Sequence, residues 1–137
     1  MGLNAALLRS SFELAVEREG TITRRFYELL FERYPQVRPL FAKNAAEQQQ
    51  RMLQEALLAV LDHLDDGAWL SETLGTMGRV HVDYQVTAEM YPWVGECLIA
   101  ALAEAVGEAW TPAHEAAWAE AYGAVSGLML AGAQTPA

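Results

Sequence analysis

The sequence contains one cysteine, Cys97, in 137 residues. That excludes an intrachain disulfide and any zinc site built from a cysteine cluster, and it suits a reducing cytoplasm. Basic residues are also scarce: nine Lys and Arg stand against 18 Asp and Glu, a net charge of −9 with His neutral. A surface of that sign repels phosphate backbones and anionic lipid head groups, so neither nucleic acid nor a membrane is an expected partner. Long apolar runs are missing too. Residues 121–137 carry no charge, but Gly, Ser, Gln and Pro interrupt them, and they fall short of the roughly 20 apolar residues that cross a bilayer. The opening Met1-Gly2-Leu3-Asn4-Ala5-Ala6 has neither the basic flank of a signal peptide nor a myristoylation pattern, so the expected location is cytoplasmic. There is no Gly-x-Ser-x-Gly elbow and no close His-Glu pairing of the zinc type.

No stretch alternates with period two for long enough to read as a strand, and there is no internal repeat. The expectation is therefore an all-α fold in a single domain over 1–137. Leu8, Phe12, Ala15 and Val16 share one face of a first helix, about Asn4 to Arg18, which Gly20 ends. A second helix starts near Thr21 and carries Ile22, Phe26, Leu29, Leu30 and Phe31, with Tyr27 on the same inward side. Pro35 opens a short helix. After the polar connection Lys43 to Glu47, a longer helix aligns Leu53, Leu57, Val60, Leu61 and Leu64 until Asp65-Asp66-Gly67 stops it. Another runs from about Ala68. Pro92 opens the next through Val94, Leu98, Leu102 and Val106 to Gly107, and Thr111-Pro112 start the last, with Trp118, Tyr122, Val125 and Met129 inward.

The stretch from His81 to Pro92 stands out. His81 continues the apolar stripe of Leu70, Leu74, Met77 and Gly78, which aims its imidazole inward. A histidine so placed needs a partner, because an unpaired buried polar group costs a few kcal/mol. A hydrogen bond, a metal ion and a cofactor iron all satisfy that need, and a plain core histidine with a hydrogen bond is the simplest case. His63 and His114 lie near helix ends, where solvent exposure is the expectation. Cys97, inside an apolar helix, is expected to pack and not to switch redox state.

Read in order, a series of motifs resembles the bacterial single-domain globins, the haem domains of flavohaemoglobins and the Vitreoscilla-type and Hell's Gate-type haemoglobins. The motifs are Thr21-Ile22-Thr23 followed by Phe26-Tyr27 and Leu30-Phe31, then Tyr34-Pro35, Arg38-Pro39-Leu40-Phe41, His81 with Tyr91-Pro92 after it, Val94-Gly95, and Ala117-Trp118 with Ala121-Tyr122-Gly123. The resemblance implies a globin fold, six to eight helices packed around a haem pocket, with haem b as cofactor. It implies His81 as the proximal iron ligand, Tyr27 and Gln49 as the distal pair facing a bound gas, and Phe41 wedged against the haem. Leu53, Met77, Val86 and Val94 then form apolar walls, Tyr91 lies on the proximal side, and Arg51 and Arg79 are candidates for the haem propionates. Helical phase singles out Gln49 among Gln48, Gln49 and Gln50, since it lies four residues before Leu53.

The function implied is reversible binding of O2, with CO and NO as further diatomic ligands, for storage or delivery. Nitric oxide dioxygenation with an external reductase is the alternative, and a gas sensor or interaction module the third. The departures bear on that choice. Where the flavohaemoglobins carry a glutamate joined to the proximal tyrosine, this chain has Ala133, and a chain of 137 residues is expected to hold the globin domain without a flavin domain. Gln85 and Met90 stand where relatives often have Gly and His. The resemblance leaves the oligomeric state open.

Overall fold

Helix caps set four of the boundaries in the computed structural model, which describes residues 4–19, 22–41, 46–83 and 86–133. Among these are six α-helices: α1 Ala5–Glu19, α2 Ile22–Arg33, α3 Ala46–Asp62, α4 Gly67–Asp83, α5 Met90–Val106 and α6 Pro112–Ala133. Two 3₁₀ segments, Pro35–Phe41 and Gly107–Ala109, complete the order, and no described residue is in a strand. None of the described helices is long and apolar enough to cross a membrane. The expected helix boundaries at Gly20 and Thr21, and Gln85, lie outside the described residues.

The Asn4 carboxamide accepts from the Leu7 N–H at 3.3 Å at the start of α1, and the Thr111 hydroxyl accepts from the His114 N–H at 3.4 Å at the start of α6. Three expectations need correction. Asp66 does not merely stop α3: its carboxylate accepts from the Trp69 N–H at 3.0 Å and so caps α4, which begins at Gly67, while α3 already ends at Asp62 without Leu64. Pro92 is the third residue of α5, because a proline anywhere in the first turn forfeits only a bond that would not form. The Pro35 segment is a 3₁₀ turn, consistent with the second proline, Pro39, inside it. Gly107 closes α5 with φ 71°, a left-handed conformation that favours glycine, and its N–H donates to the Ala103 carbonyl.

Packing divides the interior into two clusters. The larger joins α1, α2, α5 and α6 through Leu8, Phe12, Ile22, Phe26, Leu30, Leu98, Leu102 and Trp118. A buried bond ties its far ends, with the Trp118 indole N–H donating to the Ser11 hydroxyl at 2.9 Å. The smaller cluster holds Leu74, Tyr91 and Met129, with Met77, Val86 and Val125 packed against it. It follows from the most extensive helix pairing in the fold, α4 on α6. That pairing depends on glycine. A Cβ built on Gly78 would overlap the Met129 carbonyl, and one on Gly132 would overlap the Gly75 backbone.

Gly78→Ala is therefore expected to lower stability by about 1–3 kcal/mol through overpacking. Gly123→Ala, at an exposed position of α6 with nothing within 4 Å of an added methyl, is expected to raise it by about 0.5–1 kcal/mol by restricting the unfolded chain. Thermal melts followed by circular dichroism check both, and equal melting temperatures for the two variants would refute the packing argument.

Candidate functional site

The two clusters do not merge, and between them lies a cavity of about 250 Å³. Its walls come from every helix except α1 and α6. From α2 come Phe26, Tyr27 and Leu30, from the first 3₁₀ segment Val37 and Leu40, and from α3 Gln49, Met52, Leu53 and Ala56. On the other side α4 supplies Met77 and His81, α5 supplies Met90 and Val94, and Val86 comes from the connection between them. Since α4 packs chiefly on α6 and α3 chiefly on α2, His81 meets Tyr27 and Gln49 across the cavity and not through direct helix packing. At about 24 cal/mol per Å³, a sealed apolar space of this size would cost up to about 6 kcal/mol, comparable with the whole stability of a small domain. It is a space shaped for an apolar ligand with a few polar contacts.

Among the described residues, three polar side chains reach it. The Nδ1 of His81 lies 2.6 Å from the Met77 carbonyl, one turn back on α4. A carbonyl only accepts, so Nδ1 carries the proton, and in the neutral ring Nε2 keeps its lone pair. The Tyr27 hydroxyl donates to the Gln49 backbone carbonyl at 3.5 Å, which places the two residues side by side. Burial pushes the Tyr27 phenol up to about 12, so it stays a donor as pH rises through the ordinary tyrosine value near 10. Gln49 lines the cavity, Gln48 is exposed and Gln50 is not part of the lining.

Of the site residues expected from the sequence, Tyr27, Gln49, Leu53, Met77, His81, Val86 and Val94 come together in this cavity. Tyr91 does not line it. The Tyr91 ring is buried behind His81, with centroids 6.4 Å apart and planes at 39°, and burial raises its phenol. The Phe41 side chain lies outside the described residues. Arg51 is exposed, and the Arg79 guanidinium donates to the Thr76 hydroxyl at 3.1 Å. His63 is neither free nor near the cavity: its Nδ1 donates to the Ala59 carbonyl at 2.7 Å and its ring stacks on Trp69 at 3.7 Å. His114 accepts at Nδ1 from the Thr111 N–H at 3.1 Å. Cys97 is buried and its thiol is raised to about 11, chiefly by that burial, which suits packing and not redox chemistry.

Sequence reasoning missed several walls. Met52 and Ala56 follow Gln49 by three and seven residues and share its helical face, so the spacing held the signal. Met52, half exposed at 48%, marks the mouth of the cavity. Val37 and Leu40 sit on the 3₁₀ turn, whose period of three a search at 3.6 does not see.

Residues 24–129 match the globin family profile. Over 118 residues the chain is 38% identical to an uncharacterized globin-like protein of Aquifex aeolicus, covering 85% of this chain and 81% of that one. It is 34% identical over 128 residues to the flavohemoprotein of Pseudomonas putida, covering 91% of this chain but spanning only about a third, 33%, of the relative. Among solved structures, an engineered carbene transferase, a proposed nitric oxide dioxygenase from Rhodothermus marinus, superposes with a TM-score of 0.81 at 33% identity, over 94% of this chain and 89% of that one. A bacterial globin from Campylobacter jejuni shares the fold, with a TM-score of 0.79 at 24% identity over 95% and 94% of the two chains.

Proposed function

The chain belongs to the globin family, and from that premise we propose that it holds haem b in the cavity described above and binds O2 reversibly. His81 is assigned as the residue that would hold the iron, and Tyr27 and Gln49 as the side chains that would meet the gas. The observation that carries this reading is their convergence, from separate helices, on one apolar cavity.

The residues present fit haem. Apolar walls from Leu53, Met77, Val86 and Val94 match a flat apolar ring, and the imidazole offers the donor atom that iron takes. When bound, haem would supply an iron that a neutral imidazole can hold and that can take up a diatomic gas. The bond from Nδ1 to the Met77 carbonyl fixes the ring on its own helix and leaves Nε2 as the nitrogen available to a metal. The Tyr27 hydroxyl and the Gln49 amide are the donors at the cavity wall available to a partly charged acceptor in a largely dry space, where each bond would contribute about 1–3 kcal/mol. The family resemblance assigns Phe41 as the aromatic that would wedge against the haem.

The partner of His81 favours binding over oxidative turnover. Nδ1 bonds a neutral backbone carbonyl, whereas a carboxylate there would draw the proton and make the imidazole a stronger electron donor. Nitric oxide dioxygenation is the second reading, supported by the Tyr27 and Gln49 donors and by the flavohemoprotein and Rhodothermus marinus relatives. It requires electrons from a reductase.

His81→Ala is expected to lose most of its haem on desalting, read from the Soret band, while His63→Ala retains it; equal retention would refute the ligand assignment. Tyr27→Phe deletes the donor and keeps the ring, so O2 dissociation in stopped flow should speed up severalfold or more. An unchanged rate would remove Tyr27 from the site. With NO and a supplied reductase, binding alone gives one stoichiometric burst of nitrate, whereas sustained nitrate formation would establish the enzymatic reading in its place.

A further inference from the structure

Binding in the cavity leaves one aromatic cluster unused. Tyr34, just past α2, and Trp93, on α5, stack with ring centroids 4.7 Å apart and planes at 7°. Both are half-buried and neither lines the cavity, although Val94 next to Trp93 and Val37 three residues after Tyr34 do. The pair lies on the outer side of that wall.

The Tyr34 hydroxyl donates to Glu96 Oε1 at 2.6 Å, and the Arg33 guanidinium donates to Oε2 of the same carboxylate at 2.7 Å. The first is as short as a charge-assisted O–H···O bond. Of the hydrogen bonds described for tyrosine hydroxyls, this one ends on a carboxylate, whereas Tyr27 and Tyr122 donate to backbone carbonyls. A carboxylate can take the proton outright, while an amide carbonyl only shares it. At rest the proton stays on Tyr34. The bond to Glu96 raises the phenol, and Tyr34 and Arg33 together hold the Glu96 carboxyl below its usual range. Removing an electron reverses that preference, because a phenol radical cation is a strong acid. The stacked indole spreads the positive charge over a second electron-rich ring.

We propose that Tyr34 and Trp93 form a one-electron oxidation site, in which an oxidant at the surface takes one electron from the stacked pair and the Tyr34 hydroxyl passes its proton to Glu96. The products are the reduced oxidant, a neutral phenoxyl radical at Tyr34 and a protonated Glu96. A one-electron reductant such as ascorbate returns the electron, and Glu96 returns the proton. The substrate class is a small outer-sphere oxidant or radical, and the site needs nothing that the cavity holds.

Illumination of the haem-loaded chain with ruthenium tris-bipyridine and persulfate supplies the oxidant, and freezing traps the radical for electron paramagnetic resonance. The parent chain is expected to give a neutral tyrosyl signal, and a nitroso spin trap present during illumination should add its mass to the peptide carrying Tyr34. Tyr34→Phe should lower the signal severalfold. Glu96→Gln keeps a hydrogen-bond acceptor but removes the base, so it should also lower the signal severalfold, a loss that a merely structural carboxylate would not cause. Thermal melts check that each variant folds, and with two variants the misfolding of one leaves the other to decide. A parent with no tyrosyl signal, or a signal of parental size in either folded variant, would overturn the proposal.

Discussion

Two apolar clusters face each other without closing, and the arrangement of the rest follows from keeping them apart. The larger is fastened by long-range contacts that do not involve the cavity, such as the buried bond from Trp118 to Ser11 and the ion pair of Arg25 with Glu104 at 2.8 Å. The smaller depends on α4 lying close against α6, where backbone meets backbone at Gly75, Gly78 and Gly132. The two halves share α5 and α6, and the polar side chains that reach the cavity come from helices on its opposite sides. Neither half has to yield for His81 to face Tyr27 and Gln49.

The same separation explains how much could be read from the residues alone. The stripe from Leu70 to His81 is local, and so is the phase relation of Gln49 to Leu53, so both pointed inward before any tertiary contact was known. The start of α6 at Thr111 and Pro112 was equally plain, because a capping hydroxyl and a first-turn proline act within a few residues. The double role of Asp66 was less visible, since an acidic-glycine run signals an end and a beginning in the same letters. Contacts such as Gly132 on Gly75, or Tyr122 on Tyr91, join stretches far apart in the chain and leave no periodic trace in either one. The functional family showed in the order of many short motifs, while the seat of Tyr91 behind His81, outside the cavity wall, needed coordinates.

Electrostatics is concentrated away from the cavity. Glu96 accepts from Tyr34 at 2.6 Å and pairs with Arg33 at 2.7 Å, and these two contacts hold its carboxyl below the usual range. The groups are exposed, so water and salt screen them and they add little to stability. They link the end of α2 and the residue that follows it to α5 at the surface, next to the stacked rings of Tyr34 and Trp93. Inside, burial holds the Tyr27 phenol in its protonated form and His81 bonds a backbone carbonyl, so the cavity offers dipoles and no carboxylate among its described lining residues. Such an interior suits a ligand whose own polarity develops only on binding.

The glycine crossing is asymmetric. A methyl added at Gly75 would sit 3.7 Å from the Gly132 Cα, an ordinary contact, whereas one at Gly132 would collide with the Gly75 backbone. Variation at the two positions should therefore be unequal, with alanine admissible in α4 and excluded from the last turns of α6. It also means that this far end of α6 cannot be trimmed or redesigned as a free tail. For anyone fusing another protein there, the usable junction begins only after Gly132, because the helix up to that point is the floor on which the histidine's helix rests.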